Sequence, residues 1–363
     1  MLRPSIRHLW WCALMVAPVT WACSSDESPV GPSAAPEQSL TTAVYTAHYL
    51  GDLGGGSSEA FGINNAGAVV GSSRVAPYPD PRVHAFIWKN GVMKDLGTLA
   101  GANQSQATAI NKYGVIVGWS RNSAGDMRAV RWAADGKKRS LGTLGGRNSE
   151  ARAINEFGVI VGWSETASGR QHAFRWQNGV ITDLGTLGGT TSAASAINRG
   201  GAIVGVSTTA AGKKHAFKWR DGVMKDLGTM GKEGSAAKAI NTKGQIAVGA
   251  GPPCCNVSGE DLDVSYGFVF YQDATTPCCR FAKPTVNVHD INANGVVVGS
   301  EIDLWDPESV VEDAWIWENG RTQLLPKPPN KDPLDNGDTR ANAINSQGDI
   351  VGGVGRAVIW KRQ

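Results

Sequence analysis

Apolar residues along this chain arrive in short runs separated by turn residues, and the runs repeat. An Ile-Asn-x-x-Gly element occurs seven times, with its asparagine at Asn64, Asn111, Asn155, Asn198, Asn241, Asn292 and Asn345, in steps of 43 to 53 residues. Each copy leads into an apolar run such as Val69-Val70-Gly71 or Ile160-Val161-Gly162, then a variable stretch. Next comes a segment with an aromatic end, His84 to Trp88 in the first copy and its equivalents ending at Trp132, Trp176, Trp219, Phe270, Trp317 and Trp360. A fourth segment around Asp-Leu-Gly passes through Thr-Leu-Gly-Gly into the next copy. A period of this length marks a repeat architecture in which each copy is one supersecondary unit.

The links between the four segments, a to d, specify how they pair. Asn-x-x-Gly between a and b fits a type I turn followed by a left-handed glycine, with the asparagine capping the turn. Between c and d stand Asn90-Gly91, Asn178-Gly179, Asp221-Gly222 and Asn319-Gly320, a dipeptide that signals a tight hairpin. Two successive hairpins per copy predict a four-stranded antiparallel meander. A parallel β-helix, the main rival at this period, has no hairpins. The fold expected is therefore all-β, a seven-bladed β-propeller of four-stranded antiparallel blades. A d-like segment, Tyr49-Leu50-Gly51-Asp52-Leu53-Gly54, precedes the first a strand, and Gln363 follows directly on the seventh c strand. The N-terminal strand is expected to complete the last blade and leave no open inner edge. The repeated tryptophans are expected to pack between blades.

Composition agrees with many short strands and turns: 46 glycines and 13 tryptophans, with only 18% charged residues. A formal charge of +3 without any Lys/Arg-rich run gives no reason to expect nucleic acid. The first residues read as an export signal. Arg3, Arg7 and His8 precede an apolar run from Leu9 to Val19, too short to span a bilayer, which needs about 20 residues as a helix. Thr20-Trp21-Ala22-Cys23 resembles a bacterial lipobox, departing from it at Thr20 and Trp21. In that reading Cys23 is acylated, and Ser24 after it favours the outer membrane; cleavage after Ala22 giving a secreted or periplasmic soluble protein is the alternative. The expected organisation is residues 1–22 signal peptide, 23–42 lipid-anchor cysteine and flexible linker, and 43–363 propeller. Its only membrane contact is the lipid anchor, and the expected state is monomeric.

The repeated segments together, His-Ala-Phe-Arg-Trp, Asp-Leu-Gly-Thr-Leu-Gly-Gly and Ala-Ile-Asn-x-x-Gly-x-Ile-Val-Gly, resemble the HAF family of bacterial extracellular repeats. The resemblance runs from about Tyr45 to Lys361 and is weaker in copies five to seven. It implies export and a propeller-like repeat, and brings no catalytic residues with it.

Candidate chemistry is sparse. No nucleophile elbow, phosphate loop or zinc-protease motif is present, and no enzyme activity is expected. His84, His172 and His215 share one repeat position and read as strand-start hydrogen-bonding residues, because other copies place Arg128, Asp313 or Arg356 there. Cys254-Cys255 and Cys278-Cys279 flank one c strand. In an oxidising compartment they predict one or two disulfides, with a four-thiolate zinc site as the alternative. Acidic residues cluster at Glu260, Asp261 and Asp263, and from Glu301 to Asp313, without the spacing of a dedicated calcium loop; no cofactor is expected. The inner strands carry Phe61, Thr108, Arg152, Ser195, Lys238, His289 and Asn342 at one repeat position, of which Arg152, Lys238 and His289 are channel-facing candidates for an anion. The b–c connections vary most, for instance Ser72–Val83 and Gly249–Ser265, and variable loops on a rigid scaffold are where recognition resides. The function expected is a cell-surface or periplasmic module binding a protein or glycan. The alternatives are a glycan lyase or hydrolase built on a propeller, and a structural surface protein.

Overall fold

Hairpin chemistry sets the architecture. Asn90 and Gly91 both take positive φ, 52° and 82°, as do Asn178–Gly179, Asp221–Gly222 and Asn319–Gly320, the signature of the type I′ turn that matches strand twist. The computed structural model describes residues 43–251, 266–270, 279–280, 286–302, 312–329, 338–353 and 355–363. Among them the strands pair into seven four-stranded antiparallel sheets, each following chain order a-b-c-d except the last. The third sheet is representative: Gly145–Ile154, Ile160–Thr166, Gln171–Gln177 and Val180–Asp183. The last sheet joins Ala341–Ile344, Ile350–Gly352 and Val358–Arg362 to Tyr45–Tyr49, with Ala47 opposite Trp360. The N-terminal strand thus closes the fold. The whole is a β-propeller of four-stranded antiparallel blades.

Each a strand packs against the a strands on either side, and Ser58–Ile63 of the first sheet packs against Ala341–Ile344 of the last. The a strands therefore surround the axis. Apolar clusters lie between consecutive sheets: Val117 and Ala129 of the second sheet meet Ala151, Ile160 and Phe174 of the third, with Trp176 against them. Trp132 and Trp360 occupy the same kind of interface, as the repeat pattern predicts.

Two features of the repeat become explicable here. In every a strand the register slips by one residue, and the residue skipped is Phe61, Thr108, Arg152, Ser195, Lys238, His289 or Asn342. Each is a β-bulge residue, which bends the strand and re-aims its own side chain. The glycine of Ile-Val-Gly sits beside this bulge. A Cβ on Gly162 would lie 1.9 Å from the Glu150 carbonyl oxygen, so a side chain cannot be placed there without moving the strand.

The export signal, Cys23 and the linker lie outside the described residues, as do Cys254, Cys255 and Cys278; Cys279 is described as backbone only. Among the described residues no helix is long and apolar enough to cross a membrane.

Candidate functional site

The side chains that repeat are occupied in building the ring. The amide nitrogen of each belt asparagine donates to the backbone carbonyl of the next: Asn64 to Asn111, Asn111 to Asn155, Asn155 to Asn198, Asn198 to Asn241, Asn241 to Asn292, Asn292 to Asn345, and Asn345 back to Asn64, at 2.9–3.4 Å. Meanwhile each Oδ1 serves its own turn; that of Asn155 accepts the N–H groups of Phe157 and Val159, both at 3.0 Å. An amide accepts locally through its oxygen while its nitrogen donates to a neighbour, which a carboxylate in the same place cannot do. The circuit was missed from sequence, where capping alone explains the asparagine. Its signal was the invariance of Asn across the seven copies, where Asp or Ser would cap as well.

A second set of contacts joins consecutive sheets. Ser149 Oγ accepts the Ala129 N–H at 3.0 Å and donates to the Gly142 carbonyl at 2.8 Å. Ser58, Ser105, Ser192 and Ser235 do the same at their own junctions. The histidines expected to serve strand starts instead reach across to the d strand: His84, His172 and His215 place Nδ1 2.8 Å from Asp95, Asp183 and Asp226. Where Arg356 replaces the histidine, it faces Asp52 at 3.6 Å. These positions are structural.

The bulge layer is where chemistry could sit. Arg152 Nε lies 3.3 Å from Glu150, whose carboxylate also accepts the Trp163 indole N–H. His289 Nδ1 is 3.2 Å from Asn342 Oδ1, and its Nε2 is 3.4 Å from the Ser300 hydroxyl. The Asn342 amide nitrogen donates to Glu59 and to the Ala60 carbonyl, so its oxygen faces His289, and Nδ1 carries the imidazole proton. Burial, reinforced by Lys238, pushes the His289 pKa down to about 4. The imidazole is neutral at neutral pH. Burial also raises Glu59, against the bond from Asn342. Of the three candidate anion ligands, His289 is thus uncharged at neutral pH and Arg152 is engaged by Glu150. Ser300–His289–Asn342 has the order of a hydrolytic triad, but Ser300 is fully buried and presents no nucleophile to a substrate. Among the described residues no three His, Cys, Asp or Glu side chains are grouped to hold a metal ion.

On the hairpin side the axis opens into a funnel of about 240 Å³. Its wall carries Ile63, Ile154, Ile197, Ile240 and Ile344, and Asp290 reaches it from just below the belt. The Asp290 carboxylate accepts the N–H of Ile291 at 2.8 Å and of Ile344 at 3.0 Å. Burial raises its pKa to about 6 in spite of both bonds. At the rim, Glu156 is bracketed by Lys112 at 3.0 Å and Arg199 at 3.6 Å. Tyr113 and Phe157, one place further along their turns, are 62% and 65% exposed.

The opposite side carries the b–c connections. Arg82 grips Asp80 through both oxygens, Arg74 donates to the Asp80 carbonyl, and the Val75 N–H bonds the Arg82 carbonyl. This loop holds Tyr78 84% exposed.

Residues 54–186, which span the first three sheets, match the family described as "Protein of unknown function (DUF3466)". No curated protein matches the chain. Several solved structures are similar in fold. The β-propeller domain of the Trilobed protease from Pyrococcus furiosus, whose title describes an open velcro topology, is 12% identical with a TM-score of 0.49, covering 85% of this chain and 95% of that one. TolB from Acinetobacter baumannii is 13% identical with a TM-score of 0.47 over 75% of this chain and 64% of its own. The gluconolactonase XC5397 from Xanthomonas campestris is 12% identical with a TM-score of 0.41, covering 69% and 83%. At these identities the likeness concerns the fold alone.

Proposed function

We propose that this chain is an exported, seven-bladed binding and scaffold module of the HAF-repeat type, tethered through Cys23 and recognising a protein or glycan through its b–c loop face. The seven sheets and the seven-membered asparagine circuit support the blade count. One observation carries the binding reading. The repeated polar side chains are engaged in joining the sheets, whereas an irregular loop fixed by Arg82 and Asp80 displays Tyr78 to solvent. A rigid loop holding an exposed tyrosine suits recognition, because the tyrosine adds contact area with little entropy to lose.

The test is capture of envelope proteins and glycans by the unit Ala43–Gln363, compact by itself, beside Tyr78→Ala and a hydrolase and lyase screen. Specific capture weakened at least tenfold by Tyr78→Ala supports the module. Turnover of a glycan, or capture indifferent to every loop-face substitution, contradicts it. For the tether, Cys23→Ala is expected to move the full chain from the membrane fraction to the soluble one.

A further inference from the structure

Six copies of the repeat place Gly or Ala two residues before the belt asparagine: Gly62, Ala109, Ala153, Ala196, Ala239 and Ala343. The sixth copy alone places Asp290 there, inside the axial funnel. The six other copies act as an internal control, because they show that the blade is built without a carboxylate. Burying a charge against isoleucine side chains costs stability, and a side chain retained at such a cost in a concave site points to a ligand.

The surroundings indicate its chemistry. Each Asp290 oxygen accepts one backbone N–H, and a carboxylate offers about four acceptor positions, so about two remain for hydroxyl donors. Above the carboxylate stands the apolar isoleucine wall, and at the rim stand hydrogen-bonding groups on Asn65, Thr242 and Ser346. Tyr113 and Phe157 lie on adjacent blades at a turn position that elsewhere holds Ala66, Gly200, Lys243, Asn294 or Gln347. The turn does not require an aromatic ring, and both rings stand exposed on turns of neighbouring blades, with Lys112 Nζ 5.0 Å from the centroid of the Tyr113 ring. A small cavity in which six isoleucines lie beside belt asparagines, other polar groups and one buried carboxylate, on turns that also carry exposed aromatic rings, fits a ligand with apolar faces and many hydroxyls. A simple cation fits less well, since Lys112 and Arg199 stand at the rim against one Glu156.

We infer that the axial funnel on the hairpin face is a saccharide site, in which Asp290 accepts a pair of hydroxyls from a terminal sugar while Tyr113 and Phe157 hold the adjoining unit. The inference rests on the binding-module reading, yet places this ligand on the opposite face from Tyr78.

The experiment is titration of Ala43–Gln363 with an array of neutral mono- to tetrasaccharides, with n-butylamine as the cation control. The strongest binder is then repeated on Asp290→Ala, Tyr113→Ala/Phe157→Ala and Tyr78→Ala. Because Asp290→Ala restores the residue of the other copies, it is expected to fold, and melting curves verify this. Saccharide binding weakened at least tenfold by Asp290→Ala and by the double variant, and unchanged by Tyr78→Ala, supports the site. Saccharide binding lost only in Tyr78→Ala overturns the funnel and keeps the loop-face module. Binding of no array member, or of butylamine alone, overturns the saccharide site, leaving the module to stand or fall on the capture experiment.

Discussion

Asn155 makes the sharpest residue-level test, because its two roles separate chemically. Aspartate caps the turn as asparagine does but cannot donate to the Asn198 carbonyl, and sets a second oxygen against it. If the residue only capped its turn, Asn155→Asp would be close to neutral. With the circuit, it is expected to destabilise by about 1–3 kcal/mol, the cost of an unmet buried polar group. Asn155→Ala is expected to cost at least as much, since the Phe157 and Val159 N–H groups lose their acceptor too. Urea denaturation of the three proteins decides the matter. The adjacent His289 and Asp290 give a test by pH. His289 titrates near 4 in the fold against 6.5 in the open chain, so its contribution is present above 6.5 and is lost as pH falls toward 4. Asp290 titrates near 6 against 3.8, so its penalty is absent below 3.8 and is full above about 6. The two slopes oppose each other. Relative to the parent, Asp290→Ala is expected to gain stability as pH rises from 4 to 7, and His289→Asn to gain it as pH falls over the same range. Parallel melting-temperature profiles for either variant and the parent would contradict that assignment.

At the scale of the element, strands and hairpins were legible because each link carries its own chemistry. The Asn-Gly and Asn-x-x-Gly turns are set by local φ preferences, and the sheets follow. The bulge was not legible as a bulge. Repeat alignment singled out Phe61, Arg152 and His289 as one position, but the register slip depends on strand pairing, which side-chain pattern alone does not reveal. The His–Asp pairs were half legible. His84, His172 and His215 are each followed eleven residues later by an aspartate, and in the second copy, where Arg128 replaces the histidine, Arg139 stands at that spacing. The pairing joins the c and d strands, so neither segment reveals it alone. The fifth sheet is the element that departs furthest from the repeat, and its short d strand, Cys279–Arg280, pairs Cys279 with Val269. Two cysteine pairs in one copy predict a staple between its b–c segment and its d strand. A loop of about 25 residues closed in this way contributes on the order of 3 kcal/mol. Non-reducing peptide mapping is expected to yield a peptide joining Cys254–Cys255 to Cys278–Cys279. Four freely alkylated thiols without bound metal would refute both the staple and the zinc alternative.

Across the whole molecule, the asparagine circuit, the serine junctions and the strand Tyr45–Tyr49, the outermost strand of the last sheet, have one consequence: the first and last blades are joined and the last blade is completed. The first and last blades meet through Asn345 and Asn64, and through Asn342 donating to the Ala60 carbonyl. Function was less legible than fold for the same reason, since a repeat advertises the residues that build it, whereas a ligand site is made of departures such as Asp290 and Tyr78. The ring is closed by its N-terminal strand. Deleting residues 43–54 from the full chain removes Tyr45 and Ala47 from the last blade's core and leaves the strand Val358–Arg362 with an open edge. Thermal unfolding followed by circular dichroism is the direct measurement. The expected melting temperature is lower by more than about 10 °C, with a broadened transition, since each kcal/mol is worth about 2–4 °C in a domain of 150–250 residues and somewhat less in a larger one. An unchanged melting temperature with a single sharp transition would contradict closure by that strand.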